Sequence, residues 1–534
     1  MEKLTKVING LTTPILNNFG RFLSLIFLQS FALVFYVLFV STEGLTTYQV
    51  CFHIFTSLVY SFSSSYVIIL LTKYLPRIWG KVLYTVFLIY ISLIFVTNIY
   101  CLWTIKYLFN ADYVGIVLGT NINEATEFFT SAYLNGSKLV GIVLCLLAPI
   151  AASYLFKYVA NKCRLFLQAK GVRVSLLIIF CITLEFNYKF KETLAGQQSA
   201  VLFYQNFEEY EPTPEIKLLN PKLNTRSQSN VQTIVVIVGE SLSKNHCSLY
   251  GYKQLTNPKL SAYSDSLLHT FSAVTAAATH TEQAFERLMT TVDDSNASDW
   301  YKSPNIIEIA GKAGYKTAWI SNQSKHGLFE NKVAKMAELS DTTMWNGNKF
   351  TGLRHDEIDD ELIPIATNYH LNAPNNLIFI HLMGSHADFN QRYPARYAKF
   401  TAADYNEFPA EQRQDRAEYD NSVLFNDYVV SSLINIYAKQ DAVIMYFSDH
   451  ALDIYDTSDD YCGHAIEGDK KSNYYGRQIP FLIYTSAEFR QKHSDLTQLI
   501  ENATDKQINT TDLPYIIMQL MGVTFADLPN KAIL

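Results

Sequence analysis

The sequence predicts a protein of two parts. The first is an α-helical membrane domain of five transmembrane helices; the second is an α/β domain with a mostly parallel central sheet between helices. Three observations predict it. The 534-residue chain changes character near Phe190, being apolar and aromatic before it and of soluble composition after it. The apolar half is cut by loops that alternate in Lys and Arg content. The second half alternates β-branched runs with segments of helical spacing.

Four apolar stretches, residues 22–40, 48–71, 82–103 and 139–156, approach or exceed the roughly 20 residues a helix needs to cross a bilayer. A fifth, 174–186, is shorter and ends near Glu185. The loop charges decide how it is read. Lys3, Lys6 and Arg21 precede the first stretch, and Lys73, Arg77 and Lys81 separate the second from the third. Lys157, Lys162, Arg164, Lys170 and Arg173 separate the fourth from the fifth. The other two loops carry Glu43, Asp112, Glu124 and Glu127. This pattern sets the N-terminus in the cytoplasm, and five spans then put everything after Phe190 outside. The first stretch lacks a small-residue cleavage site and reads as an uncleaved anchor. Residues 106–136 are too long for a plain connector, and their polar stretch 120–127 fits an interfacial helix or a solvated loop equally well. Residues 191–230, with Pro212, Pro214 and Pro221, read as a bridge ending in an extended linker.

In the second half, strands are expected at 233–238, 317–321, 376–382, 442–448 and 479–484, and helices at 281–289, 305–313 and 419–437. The net charge of −6 gives no reason to expect a nucleic acid partner. Of seven cysteines only Cys247 and Cys462 fall here, which is no disulfide framework but leaves room for one bridge.

Candidate chemistry stands where strands end. The run 233–238 stops at Gly239 and is followed by Glu240 and Ser241; 442–448 leads into Asp449 and His450; 376–382 leads through Gly384 and Ser385 into His386. His464 follows Gly463 in a later loop. Each taken singly fits a turn, a helix cap or a surface histidine. In a parallel sheet, however, these ends share one edge, so the side chains converge. Two carboxylates and an imidazole suit zinc, with Ser241 as a metal-activated nucleophile completing the shell.

Several motifs in this order carry a resemblance. They are Gly239-Glu240-Ser241 with Ser248 to Tyr252 and Thr256-Asn257-Pro258, Trp319 to Gln323, His381 to His386 with Arg392-Tyr393-Pro394, Tyr419 to Ser422, Phe447 to His450, and Gly463-His464. In them the chain resembles the membrane-anchored phosphoethanolamine transferases of the alkaline phosphatase and sulfatase superfamily. The resemblance implies Zn2+ as cofactor, held by Glu240, Asp449 and His450, and Ser241 as the residue that becomes phosphoethanolaminylated. It assigns His386 and His464 to the substrate phosphate or a second zinc. Thr120 and Glu124 match positions that hold the ethanolamine head group, and Thr279 and Thr281 match a segment lining the site. Phosphatidylethanolamine is the implied donor and lipopolysaccharide the acceptor. The implied setting is the inner membrane, with the catalytic domain in the periplasm. The protein is expected to act as a monomer.

The chain departs from the family in places. Ser241 stands where lipid A-modifying members usually carry Thr, Ala451-Leu452 where Gly-Glu usually follows Asp-His, and the several cysteine pairs of that branch are absent. Ser241 and the ending Gly463-His464-Ala465 resemble the core-heptose-modifying branch. The alternatives within reach are a phosphoglycerol transferase and an inactive membrane sensor of the same fold.

Overall fold

The computed structural model describes residues 2–40, 47–104, 109, 136–167, 169–189, 215–216, 218–226, 231–323, 325, 332–346, 358–369, 373–458, 461–465 and 469–534. They belong to two compact units. Thr120, Glu124 and the stretch 120–127 lie outside the described residues, as do residues 190–214.

The helical unit contains α1 (Glu2–Asn17), α2 (Phe19–Phe35, continued as a π-turn through Val40), α3 (Thr47–Tyr74), α4 (Arg77–Thr104), α5 (Gly136–Lys162) and α6 (Lys170–Lys189). Among the described residues, three helical stretches are long and apolar enough to span a membrane: Phe19–Phe39, Val50–Tyr74 and Arg77–Trp103. The fourth and fifth expected spans are helical, at α5 and α6. Helix α1 was not anticipated. It is held by Tyr66 and Tyr74, whose hydroxyls donate to the carbonyls of Leu11 and Gly10, each at 3.1 Å. Between the spans, Tyr66 stacks on Phe180 with ring centres 3.9 Å apart. Gln29 donates to Ser65 Oγ and accepts from Ser64 Oγ, both at 2.9 Å. Interhelical hydrogen bonds of this kind satisfy polar groups that lipid cannot.

The second unit is built on seven strands: β1 (Thr233–Gly239), β2 (Leu268–Thr270), β3 (Lys316–Ser321), β4 (Thr342–Trp345), β5 (Asn376–His381), β6 (Ala442–Ser448) and β7 (Phe481–Thr485). They lie in the order β2-β7-β6-β1-β5-β3-β4. The pairs β6/β1, β1/β5, β5/β3 and β3/β4 are parallel, and β7 runs antiparallel to both β6 and β2. The sheet is therefore mixed, with its antiparallel pairs at one side. All seven residues of β1 are buried, which is why its sequence is a continuous apolar run rather than an alternation.

Both sheet faces are covered. On one side Val236, Val238, Phe379 and Phe447 pack with α7 (Thr281–Leu288), α8 (Ile306–Lys312) and a later helix, Leu513–Met521. On the other, Val235, Ile237, Ile380 and Ile444 pack on Phe425, Val429 and Leu433 of α9 (Ala410–Tyr437). Each fully buried Val, Ile or Phe stabilises the fold by about 1.5–3 kcal/mol, so these layers hold the strand ends firmly. The end of the expected linker is itself structured, for Leu223–Arg226 pairs antiparallel with Val523–Phe525.

Candidate active site and metal centre

The carboxyl ends of β1, β5 and β6 lie side by side. Val238 pairs with His381 of β5, and Gly239 with Ser448 of β6. The next residues along are Glu240 and Asp449, followed by Ser241 and His450. Oxygen atoms of the two carboxylates and a ring nitrogen of His450 all lie within 4.8 Å of one another. His450 Nε2 is 3.0 Å from Glu240 Oε1 and 3.6 Å from Asp449 Oδ2. All three residues are buried.

The electrostatics are those of a site that needs a cation. Burial opposes the charge on Glu240, but His450, His386 and the Ser241 hydroxyl outweigh it and hold its carboxyl well below the usual range. Burial and the charge of Glu240 drive Asp449 the other way, well above the usual range. Burial disfavours charge on His450, yet Asp449 and Glu240 raise it to about 9. Two buried carboxylates this close repel each other, and one imidazolium balances only one of them. Asp449 Oδ2 is buried and has no hydrogen-bond partner among the described residues. That orphaned oxygen and the mixed O and N donors fit a divalent metal such as zinc.

Two hydroxyls approach Glu240, and their settings differ. Ser241 is 0% exposed, its Oγ donates to Glu240 Oε1 at 2.7 Å, and its backbone lies in the left-handed region at φ 61°. The turn is braced from α9: Tyr419 donates its phenol to the Ser241 carbonyl and accepts from Ser243 N–H, both at 2.8 Å. Thr281 is only partly buried and opens α7. Its Oγ1 lies 3.1 Å from Glu240 Oε2, 3.3 Å from Glu240 Oε1 and 3.3 Å from His450 Nε2.

The histidines surround this cluster. His464 Nδ1 donates to the Thr279 carbonyl at 3.0 Å, and its ring centre is 4.8 Å from that of His450. His386 leaves β5 through a tight turn at Gly384, where φ is 57° and a Cβ would lie 2.5 Å from the Glu240 carbonyl oxygen. The same turn is held by Asp359, which accepts from the Met383 and Gly384 amides at 2.8 Å each. His386 Nδ1 is buried without a partner among the described residues.

Of the expected residues, the structure thus brings together Glu240, Ser241, Asp449, His450, His464, Thr279 and Thr281, with His386 close enough to act on the charge of Glu240. Cys247 and Cys462 share a small apolar cluster as free thiols, so the one bridge considered is not formed. Two participants were not anticipated. Gln323 Nε2 donates to Glu240 Oε2 at 3.2 Å, and His280 stacks on His464 at 4.6 Å with nearly parallel rings. Desolvation and the neighbouring His450 push His280 down to about 4, so it is neutral. Gln323 closes the block Trp319 to Gln323 just past β3, a position that parallel-strand logic points to; His280 carried no such signal.

A family model described as Sulfatase matches residues 232–523. The phosphoethanolamine transferase EptC of Escherichia coli (strain K12) is 26% identical over 445 residues, which is 78% of this chain and 76% of that protein. A crystal structure of the C-terminal periplasmic domain of EcEptC from Escherichia coli, in complex with Zn, superposes with TM-score 0.53 at 28% identity over 58% of this chain and 88% of that one. The integral membrane lipooligosaccharide phosphoethanolamine transferase A (EptA) from Neisseria meningitidis covers 96% of both chains with TM-score 0.63; at 19% identity this concerns the fold alone.

Proposed function

This chain belongs to the Sulfatase family, and from that premise and the geometry of its site we propose that it transfers phosphoethanolamine from phosphatidylethanolamine to a lipopolysaccharide acceptor, a core heptose phosphate or a lipid A phosphate. One observation carries the reading: the hydroxyl of Thr281, a residue only partly buried, stands within 3.3 Å of both a carboxylate and an imidazole of a buried metal-binding trio. The similarity to EptC supports the transferred group, and the zinc complex of its periplasmic domain supports the metal. In this reading residues 1–190 form a five-span inner-membrane domain, 191–230 a bridge, and 231–534 a periplasmic catalytic domain.

Glu240, Asp449 and His450 hold the metal. Zinc bound there supplies a Lewis acid that lowers the pKa of a nearby hydroxyl and offsets phosphate charge. The nucleophile is Thr281 rather than Ser241. A hydroxyl that attacks an external phosphodiester must be reachable, and Ser241 is fully enclosed with its Oγ engaged by Glu240. Thr281 also sits at a helix N-terminus, whose unpaired amides and dipole favour negative charge developing beside them.

Thr281 Oγ1 forms a bond to phosphorus as the bond from phosphorus to the diacylglycerol oxygen breaks. With its Nδ1–H tied to the Thr279 carbonyl, His464 keeps Nε2 to accept the proton from Thr281. His386 protonates the departing diacylglycerol oxygen. In the second half the acceptor oxygen attacks the same phosphorus as the bond from phosphorus to Thr281 Oγ1 breaks; His464 returns its proton to Thr281, and the acceptor's proton passes to His386. Thr120 and Glu124 contribute to holding the ethanolamine group.

The test is intact mass of the full-length protein after incubation with phosphatidylethanolamine. Wild type and Ser241→Ala should gain one phosphoethanolamine group, and Thr281→Ala should gain none. An adduct on Thr281→Ala that disappears in Ser241→Ala returns the nucleophile to Ser241. An adduct formed instead from phosphatidylglycerol would favour phosphoglycerol transfer.

A further inference from the structure

The helical unit holds a feature that phosphoryl transfer does not use. A cavity of about 900 Å³ is bounded by α1, α2, α4, α5 and α6, and its lining includes Arg21, Tyr84, Lys157 and Arg173 but no carboxylate. Among the described residues none of the three cations forms an ion pair. Arg21 donates to Asn18 Oδ1 at 3.4 Å and lies 5.1 Å from the centre of the Tyr84 ring. Arg173 donates to Thr13 Oγ1 at 2.8 Å and to Asn9 Oδ1 at 3.4 Å. Lys157 is exposed.

The crowding of these charges is built into the backbone. A Cβ on Gly20 would lie 2.8 Å from Lys157 Cα, so only the absent side chain lets α2 and α5 approach there. That approach sets Arg21 against the turn of α5 that carries Lys157. Like charges gathered round one cavity repel, and neutral partners such as Asn18 or Thr13 do not cancel the repulsion. A phosphate ester does, through charge-assisted hydrogen bonds to arginine.

The remaining lining is apolar. Phe19 and Leu88 face the same space, as does Ile150, which is 56% exposed. A wall of this kind next to cations matches a molecule with an anionic head and a hydrocarbon body. The cavity lies at the helix ends joined by the Lys- and Arg-rich loops, the ends that the charge rule assigns to the cytoplasmic face. Basic cavities between membrane helices on that face suit anionic lipid head groups.

We propose that this cavity binds the phosphate of an anionic phospholipid from the cytoplasmic leaflet. The test uses delipidated full-length protein in detergent, titrated separately with cardiolipin, phosphatidylcholine and inorganic phosphate, with bound ligand read by native mass spectrometry. Cardiolipin should bind in preference to phosphatidylcholine. Lys157→Gln should weaken it about fivefold, and the double variant Arg21→Gln/Lys157→Gln by more than tenfold, since each cation near a lipid surface contributes a factor of that order. Lys157 is exposed and forms no hydrogen bond or ion pair with a described residue, so its replacement reads ligand binding without a folding defect. Inorganic phosphate binding with the same variant dependence, and no preference for cardiolipin, would keep the anion site and remove the lipid. Equal binding of cardiolipin and phosphatidylcholine, or full cardiolipin binding by the double variant, overturns the proposal.

Discussion

Replacing Gly384 by Ala tests whether the turn before His386 and the metal ligand Glu240 are mechanically one unit. The added Cβ would lie 2.5 Å from the Glu240 carbonyl oxygen and 2.7 Å from its nitrogen, both backbone atoms that cannot rotate aside. The φ of 57° adds a conformational cost of about 1–2 kcal/mol for an L-residue. Forcing an extra carbon into a packed contact adds about 1–3 kcal/mol. The sum, roughly 2–5 kcal/mol, corresponds to a melting-temperature loss of about 4–10 °C at some 2 °C per kcal/mol for a large domain. Gly251 supplies the control, since its φ is 92° but nothing lies within 4 Å of the Cβ position. Gly251→Ala should show the conformational cost alone. The assay is thermal unfolding of full-length protein in detergent, paired with bound zinc by elemental analysis. Gly384→Ala should lose more stability than Gly251→Ala and should also lose zinc, because the displaced atoms belong to Glu240. If the two variants melt together and hold equal zinc, the steric coupling between turn and ligand is refuted.

Further outcomes follow from the same geometry. Asp449→Asn should reduce bound zinc by more than an order of magnitude, since it removes a charged donor of the trio; undiminished zinc by elemental analysis would take Asp449 out of the shell. His246 is buried, which opposes its charge, but Asp420 at 2.6 Å and Asp456 at 3.7 Å raise its pKa to about 9. Because the folded value exceeds the unfolded one of about 6.5, this stabilisation is complete below pH 6.5 and disappears as pH rises through 9. At about 1.4 kcal/mol per unit the contribution is roughly 3 kcal/mol, so His246→Gln should be less stable than wild type at pH 6 and should lose less between pH 6.5 and 9. Denaturation curves in which both proteins lose stability in parallel over that interval would exclude the pair as the cause.

How much of this was legible depended on burial. Strands β1, β3, β5, β6 and β7 declare themselves because both their faces are covered, and a doubly buried strand is a solid apolar run. The strands β2 (Leu268–Thr270) and β4 (Thr342–Trp345) lie at the sheet edges, and β4 is only half-buried, so neither writes such a run. The helical signal of α9 starts at Tyr419, whereas the helix begins at Ala410; its first turns are mostly charged and polar and carry no apolar stripe. Glu240, Asp449 and His450 were legible because parallel strands deliver their last residues to one edge. In the sequence Thr281 stands out only as part of a Thr-containing segment lining the site. Its hydroxyl reaches Glu240 from 41 positions along the chain, at the start of a helix rather than the end of a strand. Adjacency in sequence drew attention to Ser241, and adjacency in space belongs to Thr281 as well.

The pairing of Gly239 with Ser448 makes the sheet itself the ruler of the metal site. Neighbouring strands stand about 4.8 Å apart, a spacing fixed by backbone hydrogen bonds and indifferent to side chains. Glu240 and Asp449 each emerge one residue past that rung, so their separation is inherited from the ladder and needs no loop to close. Metal capture at such a place is a matter of entry and exchange rather than of assembly. An emptied site would keep its shape and accept a new ion without refolding.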